Sequence, residues 1–211
     1  MRGPGSPYEV LCFCEATVQD YMARSEFTLA MEMLVQQYQD AILRYCHCHV
    51  LDPEVAREVA QEVFLAAFEG MPRFRGHASM KTWLYSIALK KCLEVRRNSA
   101  RRDALTSDHQ RLIAQRVHCD PPAQPEEICR QARQRQLVWQ ALRRLRRQER
   151  ELVILRFLED LTYDEMAQIL KVSKRTVERR LPLAQAKFHQ VYEKCQNKAM
   201  AHTISICPVY D

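Results

Sequence analysis

The amino-acid sequence predicts an all-α protein: two small helical domains joined by a flexible linker, the second containing a helix-turn-helix. Three observations carry this. Apolar residues recur at helical spacing along most of the chain, and no alternating strand pattern persists. Only 4 glycines and 9 prolines punctuate the 211 residues. Finally, Thr162 followed by Glu165 forms a capping box, and Ser173 supplies a second N-cap shortly after it.

Each element follows in order. Residues 1–24 are expected to be an irregular N-terminal extension. The first domain spans residues 25–103 and opens with a helix carrying Leu34, Tyr38, Ile42 and Tyr45 on one stripe. Asp52 and Pro53 start the next helix, with proline in the first turn, where its missing N–H costs nothing. There Ala60, Val63, Phe64, Ala67 and Phe68 fall at i, i+3, i+4, i+7 and i+8, so they are expected to face a core. Arg57, Glu58, Gln61 and Glu62 make the opposite face, free for a partner. A loop around Phe74, Arg75 and Gly76 leads to a helix through Trp83, Leu84, Ile87 and Ala88, which ends in a basic run. Residues 104–130 have the composition of a linker, with a short helix expected at 111–117. The second domain covers residues 131–194, and the tail, 195–211, shows no clear period.

Within the second domain, the capping box starts a helix just before Met166, Ala167, Ile169 and Leu170. Lys171, Val172 and Ser173 form the turn. At ~100° per residue, Val177 and Leu181 share the inner face of the following helix, and Arg175, Glu178 and Arg179 share the outer face. An outer face of that kind reaches base edges in a major groove.

Charge fits this reading. Lys plus Arg number 32 against 26 Asp plus Glu, a net charge of +6, and the excess is clustered in 90–102 and 131–150. Such clusters suit a polyphosphate backbone better than a neutral substrate. No stretch approaches the ~20 apolar residues that cross a bilayer, and the N-terminus lacks the apolar core of a secretion signal, so no membrane insertion and a cytoplasmic location are expected. The nine cysteines show no regular spacing, so reduced thiols are expected rather than a disulfide framework. No phosphate-cradling glycine loop, nucleophile motif or pair of catalytic carboxylates occurs, so the chain is expected to be neither an enzyme nor dependent on a cofactor.

Two segments, REVAQEVFLAAF (57–68) and PRFRGHASMKTWLYSIAL (72–89), together with the helix-turn-helix, resemble the extracytoplasmic-function sigma factors of bacterial RNA polymerase. The resemblance covers roughly residues 27–103 and 136–192. Two separate motifs in the right order and separation make it far more specific than a lone helix-turn-helix. It implies an alternative sigma factor that binds core RNA polymerase and recognises the minus-ten and minus-thirty-five promoter elements. Its implied partners are promoter DNA, the clamp helices of the largest polymerase subunit, the flap of the second-largest subunit, and an anti-sigma factor.

The resemblance also implies residue roles. Glu58, Gln61 and Glu62 would dock on the clamp helices, where acids can pair with basic residues. The loop RFRGHASM and the start of the next helix would hold a flipped minus-ten base, with Phe74 and Trp83 as the nearby aromatics, Trp83 also being suited by its spacing to the core. Lys81, Lys90, Lys91, Arg96 and Arg97 would track phosphates of the melting strand. Lys174, Arg175, Thr176, Glu178, Arg179 and Arg180 would read the minus-thirty-five element, some through phosphate only.

Three positions depart from the family pattern. Arg57 replaces a common acid. Lys171 replaces the usual turn glycine and must adopt a less permissive conformation or reshape the turn. Pro182 removes an N–H within the recognition helix, so a kink or break is expected near residues 180–182. Cys46, His47, Cys48 and His49 form a further cluster. Cys46 and His49 share a helical face that Cys12 or Cys14 would complete as a soft-metal site, the alternative being thiols packed as small apolar groups. His118, Cys119, Cys129 and Cys207 lie elsewhere, and no recognised metal-ligand spacing assigns a metal. Two other functions fit parts of the chain: a sigma-like mimic that titrates a regulator, which does not need the basic surfaces, and a conventional helix-turn-helix regulator, which leaves 57–103 unexplained.

Overall fold

In the computed structural model, which describes residues 14–50, 52–105 and 126–204, the chain forms eight α-helices, and no strand occurs among the described residues. These are α1 (Glu15–Ala23), α2 (Phe27–Val50), α3 (Pro53–Gly70), α4 (Met80–Leu105), α5 (Glu126–Arg144), α6 (Arg147–Val153), α7 (Tyr163–Leu170) and α8 (Lys174–Ile204). No helix among them is long and apolar enough to cross a membrane.

Helices α2, α3 and α4 pack around Ile42, Tyr45, Val59, Val63, Leu84 and Ala88, all essentially inaccessible to solvent. Tyr45 and Tyr85 meet edge to face with centroids 5.2 Å apart, the preferred aromatic geometry. Asp52 caps α3: its carboxylate accepts from the N–H groups of Glu54 and Val55, while Pro53 occupies the first turn. Helices α5 to α8 close around Leu142, Ile154, Leu155, Met166, Val177 and Leu181. These two sets of side chains merge into one continuous apolar core, because α7 packs directly against α4.

Four expectations change. Residues 15–23 are helical, not irregular: Val18 of α1 is fully buried with Leu34, Met71 and Met80, and the Glu15 carboxylate accepts from the Met80 N–H, capping α4 at 2.6 Å. Helix α5 begins at Glu126, inside the expected linker, and α8 continues past 195 to Ile204; the helix expected at 111–117 lies outside the described residues. Helix α8 runs unbroken through Pro182. Pro182 and Glu178 are both exposed, so water can satisfy the released Glu178 carbonyl while Leu181 and Ala184 stay buried on the inner face. On α3, the buried stripe is Ala56, Val59, Ala60, Val63 and Ala67; Phe64 is half-buried and Phe68 is 43% exposed. The helix is rotated so that its β-branched and small residues, rather than its phenylalanines, fill the space between α2 and α4.

Cys46, Cys48 and Cys92 are buried free thiols. Among the described residues no three His, Cys, Asp or Glu side chains converge as a metal site, Cys14 is exposed at the start of α1, and Cys12, His118, Cys119 and Cys207 lie outside the described residues. His49 is 2% exposed, and its Nε2 has no hydrogen-bond partner. Burial, and then the cations of Arg150, Arg96 and Arg147, push its pKa down to about 3. Since the unfolded histidine takes up a proton near pH 6.5 and the folded one does not, this group contributes stability that falls by about 1.4 kcal/mol per pH unit as pH drops from 6.5 towards 3. Burial raises the pKa of Glu151 and of Glu159, which opposes this trend above pH 4.5. Denaturant titrations at pH 7, 6 and 5 should therefore show His49→Gln losing less stability on acidification than the wild type. Equal losses would mean that the histidine is hydrated in solution.

Candidate nucleic-acid and polymerase interfaces

The recognition surface is built from two caps. Thr162 Oγ1 accepts from the Glu165 N–H at 3.3 Å, and a Glu165 carboxylate oxygen accepts from the Thr162 N–H at 2.9 Å, the reciprocal pair that the sequence predicts. Ser173 Oγ accepts from the Thr176 N–H and so starts α8. Between them Lys171 adopts φ 54° and ψ 45°, the left-handed conformation that a glycine would take without strain. Val177 is fully buried, whereas Arg175, Glu178, Arg179 and Arg180 are exposed along one side of α8. Lys174 is not free: its Nζ lies 2.7 Å from an Asp164 carboxylate oxygen. Thr176 is half-buried with its hydroxyl 2.8 Å from Ser173 Oγ, and Arg180 donates to Gln148 Oε1 at 3.4 Å. The residues that remain fully presented are thus Arg175, Glu178 and Arg179.

On α3, Glu58, Gln61 and Glu62 are exposed together. Beside them lies an apolar groove of about 590 Å³ between α2 and α3, lined by Met31, Val35, Leu43, Phe64, Leu65 and Phe68, with Gln61 on its edge. Sequence periodicity missed this groove because it assigned Phe64 and Phe68 to the core; the run Phe64-Leu65, apolar on two adjacent helical faces, was the available signal.

The predicted minus-ten residues are divided. Phe74 and Trp83 pack together with ring centroids 5.0 Å apart, Trp83 half-buried, and a Cβ at Gly70 would come within 3.1 Å of the indole. Lys90 and Arg97 are exposed. Lys91 instead pairs with Glu62 at 3.3 Å, so a predicted DNA contact and a predicted polymerase contact neutralise each other. Arg96 is half-buried. Lys81 donates to the backbone carbonyl of Glu159, in the second half of the chain.

Two sigma-factor family models match the chain, "Sigma-70 region 2" over residues 34–102 and "Sigma-70, region 4" over residues 135–187. The RNA polymerase sigma factor YlaC of Bacillus subtilis is 30% identical over 141 residues, 67% of this chain and 79% of that protein. The chain belongs to the sigma-70 family. Another relative of this sigma factor is the ECF RNA polymerase sigma-E factor of Escherichia coli K12, 28% identical over 156 residues, which cover 72% of this chain and 81% of that one. Among solved structures, CnrH in complex with the cytosolic domain of CnrY shares the fold at a TM-score of 0.60 and 19% identity, covering 85% of this chain and 97% of that chain. RpoE in complex with the anti-sigma factor NepR, from Bartonella quintana, does so at 0.60 and 17%, covering 77% and 96%. The chain is an alternative sigma factor of the extracytoplasmic-function group that directs transcription initiation, in a family of generally non-catalytic regulators.

Proposed function

We propose that this sigma factor engages core polymerase through the α2–α3 face, opens the minus-ten element with α4 and its preceding loop, and reads the minus-thirty-five element with α8. The observation that carries the reading is the shared exposure of Arg175, Glu178 and Arg179 on a helix held by two side-chain caps. Arginine pairs bidentately with guanine and glutamate accepts from cytosine. Glu58, Gln61 and Glu62 supply charge at the clamp helices, and the apolar groove with Phe64, Leu65 and Phe68 supplies buried area beside them. Phe74 and Trp83 hold the flipped base, and Lys90 and Arg97 take the phosphates of the melted strand, joined by Lys81 and Arg96. Lys91 serves to orient Glu62 rather than to bind DNA. Lys174, Thr176 and Arg180 contact phosphate or support the reading helix. The protein performs no bond chemistry of its own, acts in the cytoplasm with polymerase, touches the flap of the second-largest subunit through the second domain, and is held in check by an anti-sigma factor. The domains are 25–103, extended on its N-terminal side by α1, and 131–194.

Run-off transcription with purified core polymerase and a genomic promoter pool should give promoter-selective start sites only when this chain is added. Absence of such transcripts would refute the reading. In the same assay, replacing Lys90 and Arg97 together by alanine should lower open-complex formation on duplex promoters by ~10-fold or more and on a premelted bubble by far less. Equal losses would assign both residues to general affinity.

A further inference from the structure

Between α4, the start of α6 and the end of α7 lies a cavity of about 670 Å³, within the ~300–1,000 Å³ range of small-molecule sites. It joins two kinds of surface. Ile87, Leu93, Ile169 and Leu170 give it an aliphatic wall, and Lys90, Arg96, Arg97, Arg147 and Lys171 bring five cations to the same space. On α4 the arrangement follows from helical spacing, since Ser86, Lys90, Leu93 and Arg97 fall at i, i+4, i+7 and i+11 and share one face. Arg147 is the first residue of α6, and Lys171 is the C-cap of α7.

Little within the described chain offsets this charge. Arg147 lies 3.9 Å from a Glu151 carboxylate oxygen, beyond hydrogen-bond distance, while Lys90, Arg97 and Lys171 make no ion pair with any described residue. Arg96 Nη1 is buried without a hydrogen-bond partner, a costly state for a charged donor unless an acceptor reaches it. The backbone adds an independent sign. Lys171 holds a left-handed φ of 54° that a glycine would adopt without strain, so the turn accepts strain and in return places an ammonium group at the cavity.

We propose that this cavity binds a nucleoside polyphosphate, with its phosphates on Arg96, Arg97, Arg147, Lys90 and Lys171 and its base against Ile87, Leu93 and Leu170. A phosphate chain alone has no use for the aliphatic wall, and a neutral apolar ligand has none for five cations. Arginine takes phosphate oxygens bidentately and lysine meets them as a point charge.

The test titrates the full chain by calorimetry in magnesium-free buffer with ATP, tripolyphosphate and adenosine. ATP should bind saturably with a Kd below ~1 mM. Tripolyphosphate should bind ~10-fold more weakly for want of the apolar contact, and adenosine more weakly still. Lys171→Gly relieves the left-handed strain while removing the charge, so it should lose ~10-fold in ATP affinity with no fall in melting temperature. Lys171→Gln should lose as much, and Lys171→Arg should stay within ~2-fold of wild type. Failure of ATP to saturate, or equal affinities for ATP and tripolyphosphate, would overturn the proposal. A single-stranded minus-ten oligonucleotide separates the cavity from the DNA surface that shares Lys90 and Arg97: Lys171→Gly should weaken ATP and leave the oligonucleotide unchanged. Equal losses of both would make the cavity a stretch of that DNA surface and overturn the proposal. The ATP readings stand whether or not α4 serves the minus-ten element.

Discussion

Replacing Glu58 and Glu62 together by lysine is expected to weaken binding to core polymerase by roughly 30- to 150-fold, about 2–3 kcal/mol, because two attractive pairs at the clamp become two repulsive ones. The fold should be unaffected. Both side chains are exposed on α3, opposite the stripe of Val59, Val63 and Ala67 that fills the core. Among the described residues the change breaks the pair of Glu62 with Lys91, an exposed bridge of the kind that contributes ~0–1 kcal/mol. Lys91→Ala, which frees Glu62, is the control: it should leave polymerase affinity within a few-fold of wild type. Binding is measured by titrating labelled core polymerase, with circular dichroism recording helical content. Unchanged affinity in the double variant would remove the acidic face from the interface and leave docking to the apolar groove of Phe64, Leu65 and Phe68.

Arg179→Ala is expected to cost ~1–3 kcal/mol on the preferred promoter and to relax selectivity at a single base pair, the loss of one bidentate arginine–guanine contact. Arg179 lies one turn after Arg175 on the exposed side of α8, within the first two turns, where its removal leaves the buried inner face of Val177 and Leu181 in place. Arg146 and Arg147, outside α8, serve as the comparison: alanine at either should weaken all promoters about equally and reduce the salt dependence of binding. The measurement is affinity across a library randomised in the minus-thirty-five element. A uniform loss for Arg179→Ala, with base preferences intact, would make it a backbone contact and pass the reading role to Arg175 or Glu178.

The second helix pair was legible in the sequence almost residue by residue. Thr162 and Glu165 cap α7 reciprocally, Ser173 caps α8, and Val177 and Leu181 turn inward while Arg175, Glu178 and Arg179 turn out. Each of these follows from neighbours within one or two helical turns, and the 3.6-residue period places them without reference to the rest of the chain. The polar face of α3 and the strain at Lys171 were legible for the same reason. Where local rules failed, a distant surface or solvent had changed the balance. Pro182 does not end α8: Pro182 and Glu178, whose carbonyl loses its donor, are both exposed residues, while Leu181 and Ala184 hold the inner face. Phe68 stands exposed because α2 and α4 close on Val59 and Val63 instead.

By itself, then, the sequence determined the all-α class, the helix-turn-helix with its outward face, and the sigma-70 resemblance, since all three rest on short-range spacing. Only the tertiary structure decided that Lys81 is held by Glu159, that Lys91 is neutralised by Glu62, and that Glu165 serves both its own helix and α4. Those partners are separated along the chain by whole helices, and no periodicity records which exposed face meets which. Their pairing is set by the fit of two packed surfaces and by where buried carboxylates can find donors.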